Sequence, residues 1–218
     1  MNIRRYPKGM VDSQNAEQIL QTLAELYPQA SCALDFSNPF ELVVATVLSA
    51  QTTDVRVNQI TPELFGTYPD AQALAEADPE MVEQIVRPLG FQRRRAGQLV
   101  SLAQNLVSEY EGEVPATRSE LMSLAGVGRK TANVVLGNAF DHPAITVDTH
   151  VGRLARRWRW TEETSPLAAE RDIAKVIPQP EWTIACHRII LHGRQFCHSR
   201  RPDCENCAMK TFCPSSLA

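Results

Sequence analysis

The sequence contains no run of about eighteen consecutive apolar residues, the length from which a membrane-spanning helix is usually built. Its first twenty residues hold no apolar segment of the kind found in secretory signal peptides. The net charge of −3 gives no overall excess of basic residues, so charge alone does not indicate a nucleic-acid partner. We therefore expect a cytoplasmic protein that neither spans a membrane nor is secreted, and in that compartment disulfide bonds rarely persist.

The signals of exposed β-structure are missing as well. No Asn-Gly or Asp-Gly turn occurs, no stretch alternates apolar with polar residues, and no internal repeat is visible. Helix starts are present instead, each with a capping side chain ahead of a proline or an acidic residue: Asn38–Pro39, Asp78–Pro79, Thr117 with Glu120, and Ser165–Pro166. These patterns predict an all-α protein of about ten helices joined by short turns.

Two apolar stretches refine that prediction. The β-branched residues 42–47, "LVVATV", would suit a buried strand, but the Asn38 cap and the length of the segment favour a buried helix. Residues 93–110 place an apolar stripe along one helical face, made of Ala96, Leu99, Leu102, Ala103, Leu106 and Tyr110. Both segments are therefore expected to be helices that contribute to a core.

Charge is distributed unevenly along the chain. Residues 1–128 carry 9 Lys and Arg against 16 Asp and Glu, a balance of −7, whereas residues 129–218 carry 13 against 9, a balance of +4. Salt screens charges that lie more than about 10 Å apart, so a local basic face can attract phosphates in a protein of negative net charge. A solvated surface of mixed sign is the alternative, and this feature alone does not decide between them.

Four of the six cysteines fall within seventeen residues: Cys197, Cys204, Cys207 and Cys213. They could form two disulfides, hold a zinc ion or hold an iron–sulfur cluster. The cytoplasm disfavours the disulfides. Zinc sites commonly use C-x2-C pairs, of which only one is present, but spacing alone does not separate zinc from a cluster. Cys32 and Cys186 stand apart, and we expect both to be buried thiols.

Residues 117–140 have the pattern of a helix, a tight turn and a second helix. The turn "LAGVG" contains Gly126 and Gly128, which permit a positive φ and a close approach of the backbone to a partner. The second helix starts near Gly128, and the N–H groups at a helix start form a site for anions such as a DNA phosphate. A plain turn between helices is the alternative, but Arg129 and Lys130 directly after the glycines favour phosphate binding.

Lys130 is placed in the first turn of that second helix. The positive end of the helix dipole and the neighbouring Arg129 both favour the uncharged amine, which is the nucleophilic form able to make a Schiff base. A solvated surface lysine is the alternative. Asp148 precedes another helix in "ITVDTHVGRLARRW" and is predicted to be its N-cap. If it faces Lys130, the pair joins a nucleophile to a carboxylate that can stabilise a developing cation.

Together these motifs resemble endonuclease III, the iron–sulfur branch of the helix-hairpin-helix DNA glycosylases. The resemblance rests on "LAGVGRKTANVVLGNAF", on "ITVDTH" and on the C-x6-C-x2-C-x5-C spacing, and it extends from about Pro39 to Cys213. It implies a [4Fe–4S] cluster on the four clustered cysteines, which holds a C-terminal loop in place. In that loop, Arg200 and Arg201 are expected to face a phosphate.

The resemblance also implies two helical domains with a DNA-binding cleft between them. A six-helix barrel would occupy 32–142 and contain the helix-hairpin-helix at about 117–140. An iron–sulfur domain would join 1–31 to 143–218. Lys130 and Asp148 would then lie on opposite walls of the cleft.

The implied function is base excision repair. An oxidised pyrimidine of the thymine glycol type is flipped out of duplex DNA, because its sugar cannot be attacked inside the stack. Lys130 attacks the sugar and displaces the base, Asp148 stabilises the cationic sugar, and β-elimination through the Schiff base cuts the strand. The implied partner is therefore double-stranded DNA with a damaged base or an abasic site. The family further suggests a monomer, found in a bacterial-type cytoplasm and associated with the nucleoid through DNA.

Several further residues acquire roles through the resemblance. Gln51 and Phe91 would fill the hole left by the flipped base, and a core aromatic is the alternative for Phe91. Phosphates would be bound by the hairpin turn, by Arg129 and by Arg153, and some of the neighbouring arginines at 156–159 could add contacts. The base pocket would include Ser49, Asp54 and His150. Two features depart from the usual pattern: residues 93–95 are three arginines, and Ala125 replaces a proline that would make the turn tighter.

Three rival functions remain. An adenine-mismatch glycosylase of the same superfamily lacks the lysine and carries an extra C-terminal domain, so Lys130 and the end of this chain argue against it. A thymine-mismatch glycosylase has a different residue at the lysine position. The third rival is non-catalytic: an iron–sulfur electron-transfer protein would leave the hairpin and Asp148 unexplained, and a DNA-binding module would not cut a strand at an abasic site.

Overall fold

The structure, a computed structural model, describes residues 13–217. Residues 1–12, which open the predicted domain 1–31 and form most of the N-terminal stretch without a secretory signal, lie outside the described residues, as does Ala218. The described chain is helical and has no strand, which confirms the all-α prediction. It forms two compact units, Cys32–His142 and, within the described residues, 13–31 with 143–217. No helix between residues 13 and 217 is long and apolar enough to cross a membrane.

The unit Cys32–His142 is built from seven α-helices and one short 3₁₀ turn at Arg87–Leu89. The helices are α2 (Pro39–Leu48), α3 (Asp54–Thr67), α4 (Ala71–Ala75), α5 (Pro79–Val86), α6 (Gln92–Tyr110), α7 (Arg118–Leu121) and α8 (Arg129–Ala139). The predicted caps are present: the Asn38 side chain accepts from the backbone N–H of Glu41, and that of Asp78 from Glu80.

Helix α2 lies at the centre of this unit. Eight of its ten residues are buried, and it packs against α3, α6 and α8. Residues 42–47 are therefore helical, and the alternative of a buried strand is wrong. Burial of a Leu or Val side chain contributes about 1.5–3 kcal/mol relative to exposure, so α2 is a major source of the stability of this unit. Helix α6 turns its predicted apolar stripe inward against α4 and α5, with Tyr110 half-buried at its end.

The described part of the other unit contains four α-helices and a 3₁₀ turn at Gln179–Glu181. They are α1 (Ser13–Leu26), α9 (Thr149–Arg157), α10 (Pro166–Ile173) and α11 (Trp182–Gln195). Helix α11 packs against α1 and α9, and α10 packs against α9. Ser165 precedes α10 as predicted, but its side chain makes no capping hydrogen bond. The core includes Trp158 and Trp160, whose ring centroids are 4.9 Å apart.

The C-terminal segment 196–217 has no helix of its own and is fixed to this core by a few contacts. The Met209 side chain is fully buried. The Asn15 amide donates to the carbonyl oxygen of Phe212 at 2.7 Å, and the Ser215 hydroxyl donates to that of Arg157 at 2.7 Å. These bonds hold the segment with the four clustered cysteines against α1 and α9.

Candidate DNA interface, catalytic residues and thiol site

The predicted hairpin is formed by α7, a turn at residues 122–128 and α8. Thr117 caps α7 by accepting from the N–H of Glu120. Gly126 has φ +78°, a conformation that side chains rarely adopt, and a Cβ there would lie 3.2 Å from Val47 Cγ1 and 3.4 Å from Gln98 Nε2. The backbone conformation therefore favours glycine at 126, and a side chain there would also press against Val47.

Gly128 has a different reason to lack a side chain. It is the N-cap of α8 with extended backbone at φ −94°, and a Cβ there would meet no atom within 4 Å. Gly128 offers no side-chain cap, so the helix start presents backbone N–H groups together with the positive end of the helix dipole. This arrangement suits an anion that approaches the backbone closely.

Arg129 and Lys130 begin α8. Arg129 is half-buried, whereas Lys130 is exposed and open to a ligand from solution. Behind them, Arg118 Nε donates to Oδ1 of the buried Asn133 at 2.8 Å, which joins α7 to α8. The helix that carries Lys130 is thus braced from within the hairpin.

Ala125 stands where the resemblance led us to expect proline, and its backbone makes a bond that proline could not make. Its backbone N–H donates to Asn105 Oδ1 at 3.2 Å. Since proline has no N–H, this tether between the turn and α6 depends on the departure from the usual residue.

The residues predicted to fill the hole in DNA lie in two loops of the same unit. Gln51 follows the C-terminal end of α2, is exposed and has φ +60°. Phe91 lies before α6, is 66% exposed and has φ +51°. Phe91 is therefore not a core residue, and its contact with DNA stays a prediction. A non-glycine residue with positive φ is strained by about 1–3 kcal/mol, and such strain clusters at functional sites.

The predicted pocket residues of this unit flank the Gln51 loop. Ser49 is the C-cap of α2, and its hydroxyl donates to the carbonyl oxygen of Thr46 at 2.8 Å. Asp54 is half-buried at the start of α3, directly after the N-cap Thr53. Both lie within three residues of Gln51 in the sequence.

Sequence reasoning missed the role of Arg95. It grouped this residue with Arg93 and Arg94 as a basic run, but Arg95 is only 5% exposed and donates to backbone carbonyls of both loops. A signal was available, because residue 95 precedes Leu99 by four positions and so falls on the buried stripe of α6. A buried carbonyl left without a donor costs about 1–3 kcal/mol, so this guanidinium has a structural effect.

Asp148 lies in the other unit and caps α9, as predicted. Its Oδ1 accepts from the N–H of Val151 at 2.7 Å, and the residue is half-buried. His150 lies two residues on, with its Nδ1 3.1 Å from Arg153 Nη2. Burial is the main cause that lowers the pKa of His150. The charge of Asp148 raises this pKa, whereas the charges of Arg153 and Arg194 lower it. The imidazole of His150 is therefore neutral at pH 7.

The arginines of α9 are largely engaged inside their own unit. Arg153 donates to the carbonyl oxygens of Gly193 and Cys197, at 3.1 and 3.0 Å from Nη2. Arg157 donates to the carbonyl oxygens of Cys197, His198 and Ser199. Both therefore shape the backbone at the start of the cysteine segment, and a phosphate contact of Arg153 stays a prediction. Arg200 and Arg201, farther along, are exposed.

All four clustered cysteines line one cavity and carry free thiols: Cys197, Cys204, Cys207 and Cys213. Arg157 Nη1 donates to Cys197 Sγ at 3.0 Å, and His192 Nε2 lies 3.6 Å from Cys207 Sγ. Within residues 13–217, no group of three or more His, Cys, Asp or Glu side chains is arranged as a formed metal site. Of the remaining cysteines, Cys186 is buried as expected and accepts from the N–H of Thr146, while Cys32 is only half-buried.

A family model for HhH-GPD superfamily base excision DNA repair proteins matches residues 44–179. The chain is 48% identical over 206 residues to an endonuclease III of Synechocystis sp., a match that covers 94% of each protein. It is 39% identical over 197 residues to the endonuclease III of Escherichia coli (strain K12), covering 90% of this chain and 93% of that protein.

Solved structures give the same result. A non-covalent endonuclease III–DNA complex is similar at a TM-score of 0.89 and 42% identity, over 94% of this chain and 97% of that chain. A trapped endonuclease III–DNA covalent intermediate matches with the same values. Because the family model covers more than half of the chain and the relatives cover nearly all of it, the chain belongs to the endonuclease III family of the HhH-GPD superfamily of base excision DNA repair proteins.

Proposed function

We propose that the chain removes oxidised pyrimidines of the thymine glycol type from duplex DNA and cuts the resulting abasic site through a Schiff base on Lys130. As a member of the endonuclease III family, it is a bifunctional base-excision repair enzyme, a DNA glycosylase with abasic-site lyase activity. The observation that carries the proposal is its similarity, over 94% of its length, to an endonuclease III trapped as a covalent intermediate with DNA. An exposed lysine at a helix start, Lys130, offers the nucleophile that such an intermediate needs.

The chemistry begins with attack on the sugar. The neutral amine of Lys130 bonds to C1′ of the flipped nucleotide, while the bond to the base breaks and its electron pair leaves with the base. The nitrogen then passes one proton to O4′ as the C1′–O4′ bond breaks, which opens the sugar ring and gives an iminium ion. Removal of a proton from C2′ then expels the 3′ phosphate oxygen, which cuts the strand on the 3′ side. Water finally hydrolyses the iminium and frees Lys130.

Asp148 is proposed to stabilise the sugar as it becomes cationic. Its hydrogen bond to Val151 N–H holds the carboxylate in one orientation, so no ordering of the side chain is needed during the reaction. The neutral His150, together with Ser49 and Asp54, is proposed to contact the flipped base.

DNA binding is proposed to begin at the hairpin, where Gly126 and Gly128 let a phosphate reach the start of α8 beside Arg129. Gln51 and Phe91 are proposed to occupy the space that the flipped base leaves, and the exposure of both side chains supports this role. Arg200 and Arg201, and in part Arg153, are proposed to contact the DNA backbone. Nothing in these contacts requires a second copy of the chain, and we propose that a monomer acts in the bacterial cytoplasm.

The four clustered cysteines are proposed to hold a [4Fe–4S] cluster: Cys197, Cys204, Cys207 and Cys213. Four free thiols on one cavity supply the donor set that such a cluster requires. Burial raises the pKa of the Cys207 and Cys213 thiols, and repulsion from the neighbouring cysteines raises it further, so their ionised form needs a positively charged partner. When bound, the cluster supplies cross-links between four points of a segment without helices, and a mainly structural role follows. The domain assignment of 32–142 as the barrel and 1–31 with 143–218 as the iron–sulfur domain belongs to the same proposal.

Borohydride trapping tests the proposed nucleophile. Wild-type protein mixed with a thymine glycol duplex and borohydride should form a covalent complex, because reduction makes the Schiff base permanent. Lys130→Gln should bind the duplex and form none. Lys175→Gln, at an exposed lysine paired with Asp172, serves as the matched control and should trap as the wild type does. Trapping by Lys130→Gln would overturn the proposal.

A further inference from the structure

One guanidinium connects the two loops that carry Gln51 and Phe91. Arg95 Nε donates to the carbonyl oxygen of Gly90 at 2.8 Å. Its Nη1 donates to the carbonyl oxygen of Leu48 at 2.6 Å, and its Nη2 to that of Ala50 at 2.8 Å. All three nitrogens of one side chain are therefore used by backbone from two separate parts of the same unit.

Two of the three carbonyls that Arg95 holds directly precede the two strained residues. Ala50 directly precedes Gln51, and Gly90 directly precedes Phe91. Gln51 and Phe91 both have positive φ, which non-glycine residues adopt only when their surroundings impose it. Arg95 thus fixes the peptide unit ahead of each strained residue, and it fixes both with one rigid group.

Holding the carbonyls of both loops depends on the shape of the guanidinium more than on its charge. It is planar, and its donors point in fixed directions, so the three acceptors are held at set positions relative to one another. A lysine would keep the charge, but its single ammonium is a point donor on a flexible stem. The exposed Arg94 next to it faces no such set of carbonyls and offers a matched comparison.

We infer that Arg95 is a positioning residue that sets the spacing between Gln51 and Phe91 before DNA binds. This inference rests on the proposed function, in which these two side chains fill the hole left by a flipped base. Two side chains that must enter one gap together gain from being ordered in advance, because loops ordered only on binding weaken the complex. Arg95 itself need not touch DNA, since its donors are directed into the protein.

The test compares Arg95→Lys with Arg94→Lys on two substrates under single-turnover conditions. One duplex carries a paired thymine glycol, and the other carries a preformed abasic site. Borohydride trapping measures the fraction of each protein preparation that is active. We expect Arg95→Lys to slow base removal from the paired lesion by about tenfold, the factor that corresponds to losing one hydrogen bond from a charged group. Strand cutting at the abasic site and both activities of Arg94→Lys should stay near the wild-type rates.

A variant that lacks both loop side chains distinguishes a positioning effect of Arg95 from a general loss of stability. If Arg95 acts through the two loops, Arg95→Lys should have little further effect on base removal in a protein that already carries Gln51→Ala and Phe91→Ala. An effect of unchanged size in that background, or an equal loss on both substrates, would overturn the inference.

A measurement on the loop itself keeps the two proposals distinguishable. In protein labelled with 4-fluorophenylalanine, the ¹⁹F resonance of residue 91, assigned by its loss in Phe91→Leu, should be sharp in the wild type and broadened in Arg95→Lys. A resonance unchanged by Arg95→Lys contradicts the positioning role even if base removal slows. If the wild type cuts neither duplex, the proposed function fails, and the resonance alone decides whether Arg95 orders the loop.

Discussion

The backbone N–H of Ala125 donates a hydrogen bond to the side-chain oxygen of Asn105, 3.2 Å away, and so ties the hairpin turn to α6. The bond is possible because residue 125 is alanine and not proline, which has no backbone N–H. The pair therefore stabilises the turn by a side-chain tether instead of by a restricted φ.

This tether predicts a coupling between the two positions. Asn105→Ala should remove about 0.5–1.5 kcal/mol of stability through the lost hydrogen bond, offset in part by the better helix propensity of alanine. In an Ala125→Pro background the donor is absent, so Asn105→Ala should lose nothing through this bond. Urea unfolding of the wild type, both single variants and the double variant measures the coupling. Additive effects would contradict the tether.

The exposure of Phe91 separates its effect on stability from its effect on activity. Phe91→Ala should change the free energy of unfolding by less than about 1 kcal/mol, because no buried cavity forms. It should nonetheless reduce base removal from a paired lesion far more than strand cutting at an abasic site. Phe40→Ala is the contrast: Phe40 is 8% exposed, and a buried Phe→Ala change costs about 3–5 kcal/mol. A comparable loss of stability in Phe91→Ala would mean that Phe91 is a core residue and would contradict its proposed role in filling the hole left by the flipped base.

Asp148 can be tested with a pair of variants that separates capping from chemistry. Asparagine caps a helix about as well as aspartate, whereas alanine costs about 1 kcal/mol. Asp148→Asn should therefore melt close to the wild type, and Asp148→Ala below it. Both should slow base removal more than strand cutting at a preformed abasic site, because the carboxylate is needed most as the sugar becomes cationic. Full base removal by Asp148→Asn would place the stabilising group elsewhere.

The proposed cluster on the four cysteines predicts the iron content, the sulfide content and the colour of the protein. Purified protein should be yellow-brown and contain about four irons and four sulfides per chain. Cys204→Ser should lose the colour and most of the iron, and its C-terminal segment should become sensitive to protease. Cys32→Ser, at a half-buried cysteine outside the group of four, should keep both iron and colour. A colourless wild type with one bound zinc and full activity would exclude the cluster.

Features that depend on neighbouring residues in the sequence could be predicted. The caps Asn38, Asp78 and Asp148 act on N–H groups two or three residues away, so their local pattern was sufficient. The same holds for Gly126, whose position in a turn already indicated a positive φ.

Features that depend on residues distant in the sequence could not be predicted in full. The apolar stripe of α6 could place Arg95 on the buried face, but it could not show that its donors reach a carbonyl 47 residues away. Arg153 and Arg157 looked like surface cations of a basic helix, but they hold backbone carbonyls some 40 residues on. In each case tertiary contacts, which the sequence does not show, decide which backbone carbonyls the guanidinium holds.

The division of the chain has a consequence for its synthesis. The unit Cys32–His142 is continuous, so it can fold while the ribosome is still translating the rest. Helix α1 emerges earlier, yet it packs against α11, which begins only at Trp182. At a translation rate of about 5–20 residues per second, roughly ten to thirty seconds separate the synthesis of α1 from that of α11. During this interval the apolar face of α1 cannot pack against α11. The segment that carries the four cysteines follows α11 in the chain, so its thiols become available only after the helices of both units have been made.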